Sequence, residues 1–181
     1  QTVDLSSWLD CVPAIAMYDG ESDNGGYSND FEELWPGKYT VWADASTLHG
    51  WYAIKNGAPV YEYATDNGGT KNMNSFLRLH NDEAHYAMGA HPAATSFAFG
   101  MALTNNSAYA VKKMRIIYTA AQYRMYKTGT AQINLKYLIG TDSVKALTDT
   151  EAWESDKVYT PENMSFTTTA NGTASGCYLP Q

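Results

Sequence analysis

Residues Phe97–Tyr126, FAFGMALTNNSAYAVKKMRIIYTAAQYRMY, contain two runs of alternating apolar and polar side chains, separated by an Asn-Asn-Ser turn signal. Successive side chains of a β-strand point to opposite faces of its sheet, so this alternation is typical of half-buried strands. Within each run the apolar side chains share one face. They are Phe97, Phe99, Met101 and Leu103 in the first run, and Met114, Ile116 and Tyr118 in the second. The stretch therefore predicts a β-hairpin on a half-buried sheet.

Short strand-like segments continue on both sides of this stretch. Ala131–Ile139 alternates most cleanly, and Asp66-Asn67-Gly68-Gly69 is a strong turn signal because glycine accepts positive φ at little steric cost. Strands at this spacing, with almost no helical periodicity, predict an all-β protein, namely an antiparallel two-sheet β-sandwich. The length and the lack of a linker predict one domain over residues 1–181, which can also be a fragment of a longer multidomain protein.

The charge balance restricts the partners. The net charge of −7 argues against a nucleic-acid ligand, since such affinity depends largely on Lys and Arg neutralising phosphates. The local basic cluster of Lys112, Lys113 and Arg115 is interpreted as part of a solvated strand face. No apolar run is long enough to span a bilayer, so no membrane insertion is expected. A neutral glycan or another extracellular domain fits this composition better.

Several features predict an exported protein. The chain begins with Gln1 rather than Met, which indicates a processed protein or a cloned fragment. A secreted or cell-surface protein would explain the high content of Ser, Thr, Asn, Gly and Tyr. Cys11 and Cys177 lie near opposite ends of the chain, and in an oxidising compartment a disulfide could join the first and last strands. The alternative is that they are two unrelated thiols.

The aromatic content, with 14 Tyr and 5 Trp, exceeds what a plain core requires. Rings with a polar tip suit a partly wet surface, where they could stack on a neutral sugar ring. We expect one ring of the Trp51-Tyr52 pair in the core and the other in solvent, because strand neighbours face opposite ways. The predicted ligand-binding residues are Trp42, Trp51, Tyr52, Tyr61, Tyr63 and Trp153, with Trp35 and Tyr159 as further rings of this kind. The alternative for each ring is core or edge packing.

Metal and catalytic signals are weak. Asp19, Glu21 and Asp23 alternate in a Gly-rich loop and form a weak calcium candidate, with a solvated turn as the alternative. The segment His80–His91 holds three histidines but no His-Glu-x-x-His motif, and surface or turn positions are expected for them. No Gly-x-Ser-x-Gly elbow is present, and no pair of carboxylates is singled out by its spacing. No cofactor is expected beyond a structural calcium ion.

The middle of the chain also resembles a known domain. The matching segments are Gly50-Trp51-Tyr52, Ser75-Phe76, His85-Tyr86-Ala87-Met88-Gly89, Phe97–Ser107 and Tyr118–Arg124. They are similar, in this order, to a domain of secreted multidomain bacterial proteins that has Gly-Trp-Tyr, Arg-Ala-Leu-Gly-like, Phe-Gly…Leu-Thr-Asn-Asn and Tyr-Thr-Gly-Glu-Gln-Trp-Arg elements. The chain departs from that pattern at His85-Tyr86 and at Ala120–Tyr123. The resemblance implies a jelly-roll sandwich of bacterial origin without a settled activity.

These observations together predict a non-catalytic extracellular surface module that binds carbohydrate through exposed aromatic side chains. Two alternatives remain open. One is a structural spacer or protein-interaction module, and the other is a glycan hydrolase whose carboxylate pair has not been recognised.

Overall fold

The computed structural model describes residues 15–17, 27–70, 74–80, 86–91, 95–105, 110–125, 128–140, 146–161, 163–170 and 175–180. Cys11 lies outside these residues, so the Cys11–Cys177 disulfide stays a prediction. The calcium candidate formed by Asp19, Glu21 and Asp23 also lies outside them, as does His85.

Strands dominate the described residues, and the prediction of an all-β sandwich is confirmed. In chain order the elements are β1 (Ile15–Met17), β2 (Thr40–Val41), β3 (Trp51–Lys55), β4 (Ala58–Pro59), β5 (Glu62–Asp66), β6 (Phe76–His80), β7 (Tyr86–Ala90), β8 (Phe97–Met101), β9 (Leu103–Asn105), β10 (Ala121–Met125), β11 (Gln132–Asn134), β12 (Tyr137–Leu138), α1 (Thr150–Trp153), β13 (Val158–Tyr159), β14 (Ser165–Thr167) and β15 (Ser175–Pro180). No described helix is long and apolar enough to cross a membrane.

Two sheets enclose the main core. One has the strand order β2-β5-β6-β7 and the other β4-β3-β8. Trp42 lies at the centre, with its ring edge-on to Phe76 at a centroid distance of 5.1 Å. Phe76 of β6 in turn contacts Phe99 of β8 in the opposite sheet, at 6.0 Å. These large rings bury most of their area between the layers, which stabilises sheet-on-sheet packing.

A further layer covers the other face of the four-stranded sheet. Ala64, Leu77 and Leu79 point to this outer face and pack against Tyr123 of β10, which pairs with β15. The outer face therefore has its own small core, in which β10 lies above β5 and β6. Because side chains alternate along a strand, Phe76 and Leu77 lie on opposite faces of β6 and each enters a different core.

Hydrogen bonds fix β10 in this layer. Gln122 is buried, and its amide nitrogen donates to the carbonyls of Arg124 and Thr169, each at 2.9 Å. The amide oxygen of Gln122 accepts from the backbone N–H of Thr169, also at 2.9 Å. Arg124 Nη1 donates to the carbonyls of Gly68 at 2.9 Å and Gly69 at 3.2 Å, and so joins β10 to the loop after β5. The segment Gln122–Arg124 therefore has a structural role in this chain.

The predicted hairpin within Phe97–Tyr126 is wrong. Strand β8 pairs antiparallel with β3, with Phe99 opposite Ala53, and β10 pairs with β15. Residues 110–120 belong to no strand. The alternation correctly indicated the strand β8 but not its partner, because a half-buried face is equally compatible with several neighbours. Two strand pairs, β1 with β9 and β5 with β6, run parallel, whereas all pairs were expected to be antiparallel.

Candidate functional site

Four of the six aromatic side chains predicted to bind a ligand lie in the protein interior. Trp42, Trp51, Tyr52 and Tyr63 are all buried. The indole N–H of Trp42 donates to Asp44 Oδ1 at 2.7 Å, and that of Trp51 donates to the Tyr27 hydroxyl at 2.7 Å. Burial with internal hydrogen bonds indicates a packing role, and no face of these rings is open to a ligand.

The expectation that Trp51 and Tyr52 divide between core and solvent is wrong, since both are buried. Trp51 enters the core between the sheets, as its parity requires. Tyr52 points the other way, opposite Gly100 of β8, and Leu147 lies over that position. Burial, together with the negative charge of Asp44, raises the pKa of the Tyr52 hydroxyl to about 12. Both faces of β3 are therefore covered.

The other two predicted rings differ from each other. Trp153 ends helix α1, is half-buried, and its indole N–H donates to the carbonyl of Ala146 at 2.9 Å. Asp149 caps the helix by accepting from the backbone N–H of Ala152 at 3.0 Å. Tyr61, which immediately precedes β5, is exposed. Of the six residues, Tyr61 alone combines an aromatic ring with high exposure.

Around β2, Tyr61 is accompanied by other exposed apolar side chains. The exposed fraction is 76% for Trp35, 66% for Tyr39, 76% for Val41 and 74% for Tyr61. We call these four residues together the β2 surface. Four large exposed apolar side chains within and beside one short strand make this surface a candidate binding site.

The register explains why these side chains are uncovered. Val41 lies opposite Glu62, and Tyr39 is one residue before Thr40, whose partner is Tyr63. Tyr39 and Val41 therefore share the outer face with Ala64, which Tyr123 of β10 covers. The high exposure of Tyr39 and Val41 shows that the covering layer stops short of β2. The result is a step at the sheet edge, with Tyr39 and Val41 as its floor.

Backbone contacts tie Trp35 and Tyr61 to the neighbourhood of this step. The backbone N–H of Trp42 donates to the carbonyl of Tyr61 at 2.9 Å, which places the Tyr61 backbone beyond the C-terminal end of β2. On the inner side of the sheet, the hydroxyl of the buried Tyr63 donates to the carbonyl of Trp35 at 2.8 Å. The step from Tyr39 to the position opposite Tyr61 covers three residues of strand, a length of about 10 Å.

The backbone beneath the step is held in place. Gly37 donates its N–H to Thr65 Oγ1 at 3.0 Å, and the backbone N–H of Thr65 donates to the Gly37 carbonyl at 2.8 Å. Lys38 Nζ lies 5.6 Å from the centre of the Tyr39 ring, within range of a cation–π interaction. The backbone before β2 is thus tied to β5, and Lys38 contacts the Tyr39 ring, so this part of the surface is ordered without a ligand, which reduces the entropic cost of binding.

Arg78 of β6 is a buried charged residue that was not among the candidates predicted from the sequence. It is 6% exposed, and its guanidinium carbon lies 3.9 Å from the centre of the Tyr86 ring. Its Nε atom has no hydrogen-bond partner among the described residues. Arg78 lies between Thr65 and Met88 in the sheet, on the inner face, and its guanidinium stacks on the Tyr86 ring in a cation–π contact.

The described residues contain no group of three or more His, Cys, Asp or Glu side chains placed to hold a metal ion. His80 lies beside Tyr86, with 6.5 Å between the ring centroids. His91 is half-buried, and burial, with a smaller contribution from the Arg124 charge, lowers its pKa.

No family model, curated protein or solved structure matches this chain. The β2 surface must therefore be interpreted from its own chemistry. Trp35 and Tyr61 were among the aromatic candidates predicted from the sequence, whereas Tyr39 and Val41 were not. The available signal was the run Tyr39–Trp42, where Tyr39 and Val41 alternate with Thr40 and Trp42 and so place apolar side chains on both faces of an edge strand.

Proposed function

We propose that this protein is a non-catalytic, extracellular surface module of bacterial origin that binds neutral carbohydrate on the β2 surface. The observation that carries the proposal is the high exposure of three aromatic rings in and beside β2, namely Trp35, Tyr39 and Tyr61. Aromatic faces cover the apolar C–H faces of sugar rings, while the phenol hydroxyls remain available as hydrogen-bond donors and acceptors.

The charge distribution supports a neutral ligand. The whole chain carries a net charge of −7, and Glu62 lies directly opposite Val41 at the step. Lys38 beside the Tyr39 ring offsets the charge of Glu62, so the local surface has no excess charge that would select an ionic ligand, and a neutral ligand fits it.

A glycan array tests the proposal. Wild-type protein is compared with Trp35→Ala and Tyr39→Ala, and with Ile139→Ala as the matched control, because Ile139 is an exposed apolar side chain outside the β2 surface. We expect retention on at least one neutral glycan, weakened by about 1 kcal/mol for each ring removed from the β2 surface, with Ile139→Ala unchanged. All three side chains are exposed, so the fold should be preserved.

Three outcomes would overturn the proposal. No retention on any glycan would favour a structural spacer or protein-interaction module. Retention that is insensitive to both β2 variants would place the ligand elsewhere. Release of new reducing ends from a retained glycan would show a hydrolase. The predicted calcium site is tested separately: if it binds an ion, added calcium should raise the melting temperature and EDTA should lower it.

A further inference from the structure

Arg78 brings a positive charge to the rim of the main core. Along the inner face of β6, Phe76 is 2% exposed, Arg78 is 6% exposed and His80 is half-buried. The guanidinium of Arg78 lies over the ring of Tyr86, which is also half-buried and pairs with His80 at the end of the strand. The charge therefore lies where the packed interior gives way to the surface.

This charge has no counterion in the part of the chain that the structure describes. No described carboxylate forms an ion pair with Arg78, and its buried Nε–H donates to no described acceptor. The acidic residues of the adjacent strand β5, Glu62 and Asp66, share the parity of Ala64 and so lie on the opposite face of the sheet. A buried charge is strongly destabilising unless it is paired and hydrogen-bonded, so Arg78 requires a partner.

The geometry of the contact with Tyr86 indicates how that partner would bind. The guanidinium carbon is 3.9 Å from the ring centre, so the ring covers a face of the guanidinium. The N–H donors of a guanidinium lie in its plane and point outwards from its edge, so stacking does not use them. The Nε–H and an Nη–H along one edge match the two oxygens of a carboxylate, which can then bind in bidentate geometry.

Charge distinguishes the kind of anion that fits. One guanidinium neutralises one negative charge, and a second negative charge on the ligand would stay uncompensated at a buried position. The net charge of −7 on the whole chain also opposes a multiply charged anion. A monovalent carboxylate therefore fits better than a phosphate dianion.

We infer that Arg78 binds the carboxylate group of a small monovalent ligand at this rim of the core. The Nε–H and an Nη–H of Arg78 donate to the two carboxylate oxygens, and the Tyr86 ring holds the guanidinium plane in position. The ligand supplies the counterion that the described part of the chain does not. This site is on the inner face of the four-stranded sheet, separate from the β2 surface, and does not depend on carbohydrate binding there.

Nuclear magnetic resonance of the arginine Nε–H signals tests the inference on the wild-type protein, which has three arginines. The protein is titrated with sodium acetate, sodium glucuronate and, at equal ionic strength, sodium chloride. The Arg78 signal should shift and saturate with a carboxylate, whereas that of Arg124, which donates to the carbonyls of Gly68 and Gly69, should not. Tighter binding of glucuronate would identify an acidic sugar as the source of the carboxylate, and equal or tighter binding of acetate would identify a free small acid. No shift at Arg78, or an equal shift with chloride, would overturn the inference.

Thermal melts supply an independent test. Acetate should raise the melting temperature of the wild type above that in chloride, because it binds the native state. Arg78→Met removes the buried charge and keeps a side chain that can pack, so in chloride it should melt no lower than the wild type and should not respond to acetate. Arg115→Met, which removes an exposed arginine, should keep the response. An Arg78→Met variant that melts well below the wild type or does not fold would overturn the inference, by showing that the charge is neutralised within the chain.

Discussion

Replacing Gly68 with alanine tests how the outer layer is attached to the four-stranded sheet. Gly68 has a φ of +88°, and a Cβ atom at this position would lie 1.8 Å from the carbonyl oxygen of Tyr123. Gly57 has a similar φ of +76°, but a Cβ there would meet nothing within 4 Å. The two glycines thus share the backbone conformation and differ in the close approach of β10.

The magnitudes follow from this difference. Positive φ costs a non-glycine residue about 1–2 kcal/mol, and Gly57→Ala should lose no more than this. Gly68→Ala must also displace the Tyr123 carbonyl, and with it the hydrogen bonds from Arg124 to the carbonyls of Gly68 and Gly69. A hydrogen bond to a charged group contributes about 1.5–3 kcal/mol, so Gly68→Ala should lower the free energy of unfolding by about 3–5 kcal/mol.

Urea unfolding followed by tryptophan fluorescence measures both variants, with an unchanged m-value as the check on two-state behaviour. Equal destabilisation by Gly68→Ala and Gly57→Ala would refute the close approach of β10. If Gly68→Ala accumulates as insoluble chain, Arg124→Gln removes the charged hydrogen bonds without the clash. It should then cost about 1.5–3 kcal/mol.

Three further predictions concern the core and the two perturbed ionisable groups. Phe76→Ala should lower the free energy of unfolding by about 3–5 kcal/mol in urea, because Phe76 contacts rings of both sheets. The pKa of Tyr52 is raised to about 12 in the folded protein, so this hydroxyl ionises first in the unfolded chain as the pH rises above 10. The free energy of unfolding should therefore fall between pH 10 and 12. It should fall less steeply in Tyr52→Phe. The lowered pKa of His91 has the opposite consequence: the unfolded chain takes up the proton first, so stability should fall as pH drops below 6.5, and thermal melts of His91→Gln should show a smaller decline.

The sequence predicted the class of fold because alternation depends on local geometry alone. The strand Phe97–Met101 was recognised from its own residues, and its apolar rings do face the core. Its partner could not be recognised, because pairing with Trp51–Lys55 depends on contacts far apart in the chain. The turn at Gly68 was recognised from its glycines, whereas its close approach to Tyr123 became visible only with β10 in place.

The candidate site was predictable only in part, for a related physical reason. The sequence indicates which side chains can stack on a ligand, but exposure depends on which layers cover each face. Tyr52 is buried because Leu147 covers the outer side of β3 and β8, and this could not be read from the alternation. Tyr39 is exposed because the layer formed by β10 ends before β2. Both outcomes are set by tertiary packing rather than by local propensity.

The most direct test of carbohydrate binding on the β2 surface is a nuclear magnetic resonance titration of the tryptophan indole N–H signals with a glycan retained on the array. Assignment by single Trp→Phe variants separates the five tryptophans. The signal of Trp35 should shift with increasing glycan, while that of Trp42, whose N–H donates to Asp44 inside the protein, should stay in place. A shift at Trp42 or Trp51 without one at Trp35, or no glycan that moves any signal, would contradict the account.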